Sequence, residues 1–190
     1  MSYLVAGLLL FLGVHSISIV APAWRDATAA RLGVGWRGIY SLLSIAGFIL
    51  IVVGYGIART ASMTFYVPPL WLRHLTALLM LPVFPLLLAA YLPGRIRTTM
   101  KHPMLAAVKF WALAHLLANG NLADVLLFGG FLIWAVADRI SMKKRTQRAI
   151  PGAPPSKAND WIAILVGLAI YFAFVKWLHL RWIGVSPLPL

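Results

Sequence analysis

The sequence predicts an all-α fold, a polytopic membrane helix bundle of about six transmembrane helices. Of its 190 residues, 62% are hydrophobic and only 11% are charged, where soluble domains carry about 25% charged residues. Mean hydropathy is +0.87. The basic residues cluster between apolar runs of about 20 residues, the length that crosses a hydrocarbon core of about 30 Å. These observations make the bilayer the first partner of the chain. They also make residues 1–190 a single transmembrane domain, with no room for a soluble one.

The spans read in order as roughly 3–21, 37–58, 70–91, 103–118, 121–138 and 160–180. The first starts without the positive n-region of a signal peptide and carries His15 in its second half, so it reads as a retained helix. It ends at Ala21-Pro22. Val67-Pro68-Pro69 precedes the third and Leu92-Pro93-Gly94 follows it. His102-Pro103 opens the fourth, with proline in the first turn, where a missing N–H costs nothing. Asn119-Gly120 makes a tight hairpin into the fifth, and Pro151, Pro154 and Pro155 mark a flexible linker before the sixth.

Orientation follows from lysine and arginine. The three odd-numbered loops hold Arg25, Arg31, Arg37, Arg95, Arg97, Lys101, Arg139, Lys143, Lys144, Arg145, Arg148 and Lys157, which is 12 of 17 basic residues. The opposite side has Arg59, Arg73 and Arg181. Both termini are therefore expected outside, in the periplasm if the cell is Gram-negative. The net charge of +13 is a topology signal, and no nucleic-acid partner is expected; the Lys143–Arg148 run reads as a cytoplasmic anchor on anionic lipid. Trp24, Trp36, Trp71, Trp161, Trp177 and Trp182 fall near span ends, as an interfacial belt should.

Composition excludes several chemistries. With no cysteine there is no disulfide, thiolate metal site or cysteine nucleophile. With no glutamate, the side-chain carboxylates are Asp26, Asp124, Asp138 and Asp160, too few for paired-carboxylate catalysis or a carboxylate metal cage. What remains is histidine. An imidazole in hydrocarbon costs free energy unless paired, so His15, His102 and His115 are functional candidates. Each also has a bland reading. His15 could bond a neighbouring helix beside Ser16 and Ser18. His115 could bond Asn119, four residues on and on the same face, or Asp124. His102, His74 beside Arg73, and His179 read as interfacial. Lys109 in mid-helix could neutralise an acidic group or snorkel.

Depth constrains pairing. His102 and His115 are 13 residues apart, about 20 Å of helix rise, so a regular helix cannot bring both to one metal ion. By depth, His15 pairs with His102 and His74 with His115; a His15–His115 pair needs tilted helices.

The chain resembles the NnrU family of bacterial membrane proteins. The matching residues are Leu12-Gly13-Val14-His15-Ser16, Ala21-Pro22-Ala23-Trp24-Arg25, His102-Pro103-Met104, Trp111 to Gly120, and Trp134-Ala135-Val136-Ala137-Asp138-Arg139. That family is associated with denitrification and nitric oxide metabolism. It is in turn similar to the plant 15-cis-zeta-carotene isomerase, a haem b membrane enzyme with a first-helix His-Ser, a His-Pro, and a histidine thirteen residues later. The resemblance implies haem b, with His15 and His115 as its metal ligands. It implies supporting roles for Asn119 and Asp124, and propionate contacts for Lys109 or Arg73. The isomerase's redox-linked alternative ligand is a cysteine three residues before the second histidine; that position is Ala112 here, so the ligand switch lacks its thiolate. A more distant likeness is to isoprenylcysteine-type methyltransferases, which need an acidic residue this glutamate-free chain does not supply.

Three functions follow from the resemblance. The first is a haem b protein of nitrogen-oxide metabolism. The second is a haem-dependent isomerase or redox enzyme acting on an apolar small molecule such as a polyene. The third is a non-catalytic partner of respiratory or denitrification proteins.

Overall fold

A computed structural model describes residues 1–146 and 148–188. They pack as two compact units, one of Met1–Tyr66 with Gly120–Thr146, the other of Val67–Asn119 with the chain from Arg148 onward.

The first unit is built on α1 (Ser2–Val20), α2 (Pro22–Leu32), α3 (Val34–Ala58) and α8 (Leu122–Ser141). Pro22 starts α2 directly after Ala21, and Gly33 ends it at φ +55°, a conformation that disfavours side chains. α1 and α3 run antiparallel with their backbones in contact. A Cβ on Gly7 would stand 2.6 Å from Ile51 N, and one on Gly47 would stand 2.8 Å from Phe11 N. Gly54 lies equally tight against Leu4. Small residues permit this approach, and in lipid such packing replaces the missing hydrophobic drive. α8 begins with a capping box: Asp124 N donates to Asn121 Oδ1 (3.0 Å) and Asn121 N donates to Asp124 Oδ2 (3.1 Å). The helix is pinned at both ends. Tyr55 OH donates to Asp124 Oδ1 at 2.6 Å, and Arg145, just beyond the helix, donates to the Ser18 carbonyl. α8 therefore runs beside α1 over the same thickness.

The second unit holds α4 (Leu72–Met80), α5 (Val83–Ala89), α6 (Arg95–Met100), α7 (Pro103–Ala118), α9 (Ala158–Ala173) and α10 (His179–Ile183). A single π-helical turn, Phe174–Leu178, joins the last two. The expected third span is broken at Leu81-Pro82, where proline withdraws an N–H from the ladder. α7 lies along both pieces: Thr76 Oγ1 donates to the Ala114 carbonyl (3.0 Å), and Val83 and Leu86 pack on Ala107. α9 packs on α5 through Gly167 against Pro85, and Tyr171 OH donates to the Ala77 carbonyl at 2.9 Å.

Several expectations need correction. Residues 22–32 and 95–100, read as loops, are helical. Asp160 caps the second of these, its carboxylate accepting from Arg95 N (2.8 Å) and Ile96 N (3.0 Å). The proline linker is tied down: Ala153 N donates to the Tyr91 carbonyl (2.9 Å), and Asn159 Nδ2 reaches the carbonyls of Pro93 and Pro154. Arg145 is no free lipid anchor, because it pairs with buried Asp138 at 2.7 Å. Trp24, Trp71, Trp161, Trp177 and Trp182 are exposed as a belt requires, but Trp36 is buried.

Among the described residues, four helical stretches are long and apolar enough to cross a membrane: Ser2–Val20, Val34–Ala58, Leu72–Ala89 (α4 with α5) and Ala158–Ile183 (α9 through α10). Pro103–Ala118 is apolar but shorter. Leu122–Ser141 is 20 residues long and carries Asp124, Asp138 and Arg139. Their outer faces are apolar, as on α3 with Leu42, Phe48 and Val52 exposed.

Candidate functional site

His15 sits on α1, one turn after Phe11. Its Nδ1 lies 2.7 Å from the Phe11 carbonyl, and the Phe11 ring stacks on the imidazole at 4.2 Å. A carbonyl can only accept, so Nδ1 carries the proton and Nε2 has the lone pair in the neutral ring. The Tyr40 ring of α3 stands 5.3 Å away, and the Trp134 ring of α8 stands 5.9 Å away, edge-on. Trp134 Nε1 is buried and, among the described residues, is the one buried side-chain polar atom without a hydrogen-bond partner. Such a donor costs about 1–3 kcal/mol if nothing accepts from it. One turn further along α8 is Asp138, 5% exposed and paired with Arg145.

His115 on α7 repeats the device. Its Nδ1 lies 2.9 Å from the carbonyl of Trp111, four residues earlier, whose ring is 5.5 Å from the imidazole. The same tautomer follows. The Asn119 amide donates to the main-chain carbonyl of His115 at 2.9 Å.

The other candidates are placed as follows. His102 is the residue before Pro103 and caps α7 at the end opposite His115, and α7 is a regular helix, so those two imidazoles do not converge. Arg73 and His74 are exposed in the first turn of α4. The Thr76–Ala114 bond sets that turn at the His115 end of α7. Lys109 is half-buried in mid-α7, with no carboxylate within ion-pair distance among the described residues. Asp124 is 2% exposed and engaged by Tyr55 and by the cap of α8. His15 and Asp124 belong to the first unit, His115 and Asn119 to the second.

No group of three or more histidines and carboxylates is gathered for a bare metal ion among the described residues. Two clefts, one at α2–α3 and one at α5–α7, are lined by no histidine. The chemistry on offer is thus single imidazoles with assigned tautomers in apolar, aromatic surroundings. Tyr40 and the pairing of Asp138 with Arg145 escape a reading of the sequence, and Trp134 is visible in it only as part of a family motif. The aromatic residue four positions before each histidine is visible in it.

A family model described as NnrU protein matches residues 3–187. The chain belongs to the NnrU family. Neither the curated proteins nor the solved structures contain a match to it. Family membership and the apolar helices together fit a membrane protein.

Proposed function

We propose that this NnrU protein binds haem b in a bacterial inner membrane and serves nitric oxide or denitrification metabolism. The observation that carries the reading is the shared state of His15 and His115. Each ring is oriented by an Nδ1–H bond to a carbonyl one turn back, which makes Nε2 the nitrogen that could ligate a metal. The unsatisfied Trp134 N–H beside His15 supports it, as a donor awaiting an acceptor. When bound, haem b supplies a one-electron redox iron. In this reading His15 and His115 would hold the haem iron. Asn119 and Asp124 would support the surrounding backbone, and Lys109 or Arg73 would meet the propionates. His102 and His74 are the substitutes by depth.

The same reading gives six membrane crossings with both termini periplasmic. What supports six is that α8 matches α1 in depth and α7 lies along both α4 and α5, although neither passes by composition alone.

An optical spectrum of detergent-solubilised protein, expressed with ample haem supply, tests the proposal. A Soret band is expected, lost in His15→Ala and in His115→Ala and kept in His102→Ala and His74→Ala. Colourless protein that is folded by circular dichroism would sink the haem reading and leave the non-catalytic partner role.

A further inference from the structure

We propose that the α2–α3 turn binds the phosphate of an anionic phospholipid headgroup in a cleft between Arg25 and Arg37. The cleft has a volume of about 300 Å³ and is lined by Arg25, Ala29, Gly33, Val34, Trp36 and Arg37. Its place in the chain selects a lipid. α2 is an 11-residue polar helix joining two helices that are each long and apolar enough to cross the membrane. It is therefore held where headgroups lie.

The side chains suit a phosphate. Arg25 is already fixed: its Nη1 donates to Asp26 Oδ1 at 2.9 Å, and its guanidinium carbon stands 5.8 Å from the centre of the buried Trp36 ring. Trp36 is braced in turn by Trp24, edge-on at 6.0 Å. A pre-positioned guanidinium loses little freedom on binding, and its planar fork matches two phosphate oxygens. Arg37 is exposed on the other wall, and among the described residues neither it nor Arg31 has a carboxylate in ion-pair range. The segment from Arg25 to Arg37 thus carries three arginines and one carboxylate, Asp26, which leaves net positive charge for an anion. Trp24, 57% exposed, supplies the indole that favours the glycerol level of the interface.

The test is native mass spectrometry of the full chain in detergent, titrated with phosphatidylglycerol and, separately, phosphatidylcholine. Phosphatidylglycerol should bind preferentially, and Arg25→Gln/Arg37→Gln should weaken it about tenfold while leaving phosphatidylcholine unchanged. Lys101→Gln/Lys157→Gln, which removes two exposed cations elsewhere, should change neither. Unaltered phosphatidylglycerol binding in the arginine variant, or an equal loss in the lysine variant, overturns the proposal. So does displacement of the lipid by millimolar inorganic phosphate, which would make this a free-phosphate site. Should the glutamine variant lose helical content, Arg25→Lys/Arg37→Lys decides instead. It keeps the charge and loses the fork, so severalfold weaker binding upholds the site and unchanged binding overturns it.

Discussion

Asp138 and Arg145 form a pair only 8% and 12% exposed, and one partner without the other is a buried charge. Asp138→Ala should therefore cost about 3 kcal/mol, read from thermal unfolding in micelles, and Asp138→Ala/Arg145→Met should recover part of it. If the double variant loses as much as Asp138→Ala and Arg145→Met added together, the pair has no coupling. Trp134 offers the opposite sign. Its N–H lacks a partner among the described residues, so Trp134→Phe in haem-free protein removes an unsatisfied donor and keeps most of the ring. The expected result is no loss, or a gain of up to about 1 kcal/mol. A clear destabilisation would mean that the indole already has an acceptor. His15 and His115 were legible in the sequence because imidazole is costly in hydrocarbon, and their partners Phe11 and Trp111 stand at the helical i−4 spacing. Arg145 was not, because the Ser18 carbonyl it bonds lies 127 positions away and no local pattern encodes that contact. Trp134, likewise far along the chain from His15, was visible only as part of a family motif.

The α1–α3 contact rests on three glycines and gives an internally controlled experiment. Alanine at Gly7, Gly47 or Gly54 would put a methyl into the facing backbone, which cannot yield as a flexible side chain can. Each substitution should cost about 1–3 kcal/mol of stability. Alanine at Gly13 or Gly56, on the same two helices, meets nothing within 4 Å and should be neutral or stabilising by about 1 kcal/mol, the gain in helix propensity. Equal effects at all five positions in thermal melts would mean that the close approach does not set the packing. The long apolar helices were readable from length and hydropathy alone, and Ser2–Val20 and Val34–Ala58 fall within a few residues of the expected bounds. α2 was not, because its Pro-Ala-Trp-Arg-Asp run has the composition of a loop and becomes helical between two fixed helix ends. α6 is six residues long and depends on Asp160, a cap that comes from 65 positions downstream of Arg95. The proline segment from 151 to 155 has the composition of a free linker; its carbonyl and N–H contacts to Tyr91 and Asn159 make it ordered.

Hydropathy and charge give different weights to the fourth and fifth apolar segments, and the distinction decides how many times the chain crosses the bilayer. α7 has only 16 residues and α8 carries three ionisable side chains, so composition alone stops at four crossings. Packing argues for more. The α8 cap lies beside the loop that follows α3, with Phe65 N donating to the Gly120 carbonyl (2.8 Å) and Leu122 N to the Met63 carbonyl (2.8 Å). The far end of α8 reaches Ser18. On the six-crossing proposal, a helix that begins level with the end of α3 and finishes level with the end of α1 would cross with them, and its two buried carboxylates, Asp124 and Asp138, are both bonded. The absence of cysteine allows this to be read by single-cysteine labelling without a background. Cysteine at the exposed positions Ala30 and Lys144 should react with a membrane-impermeant maleimide only from the cytoplasmic side. Cysteine at Ala61 and Val185, also exposed, should react only from the periplasmic side. Cysteine at Asn119, in the α7–α8 turn, separates the counts: periplasmic labelling requires α7 and α8 each to cross. If that position is shielded from both sides while the other four behave as stated, the two helices form a hairpin that enters and leaves by one face.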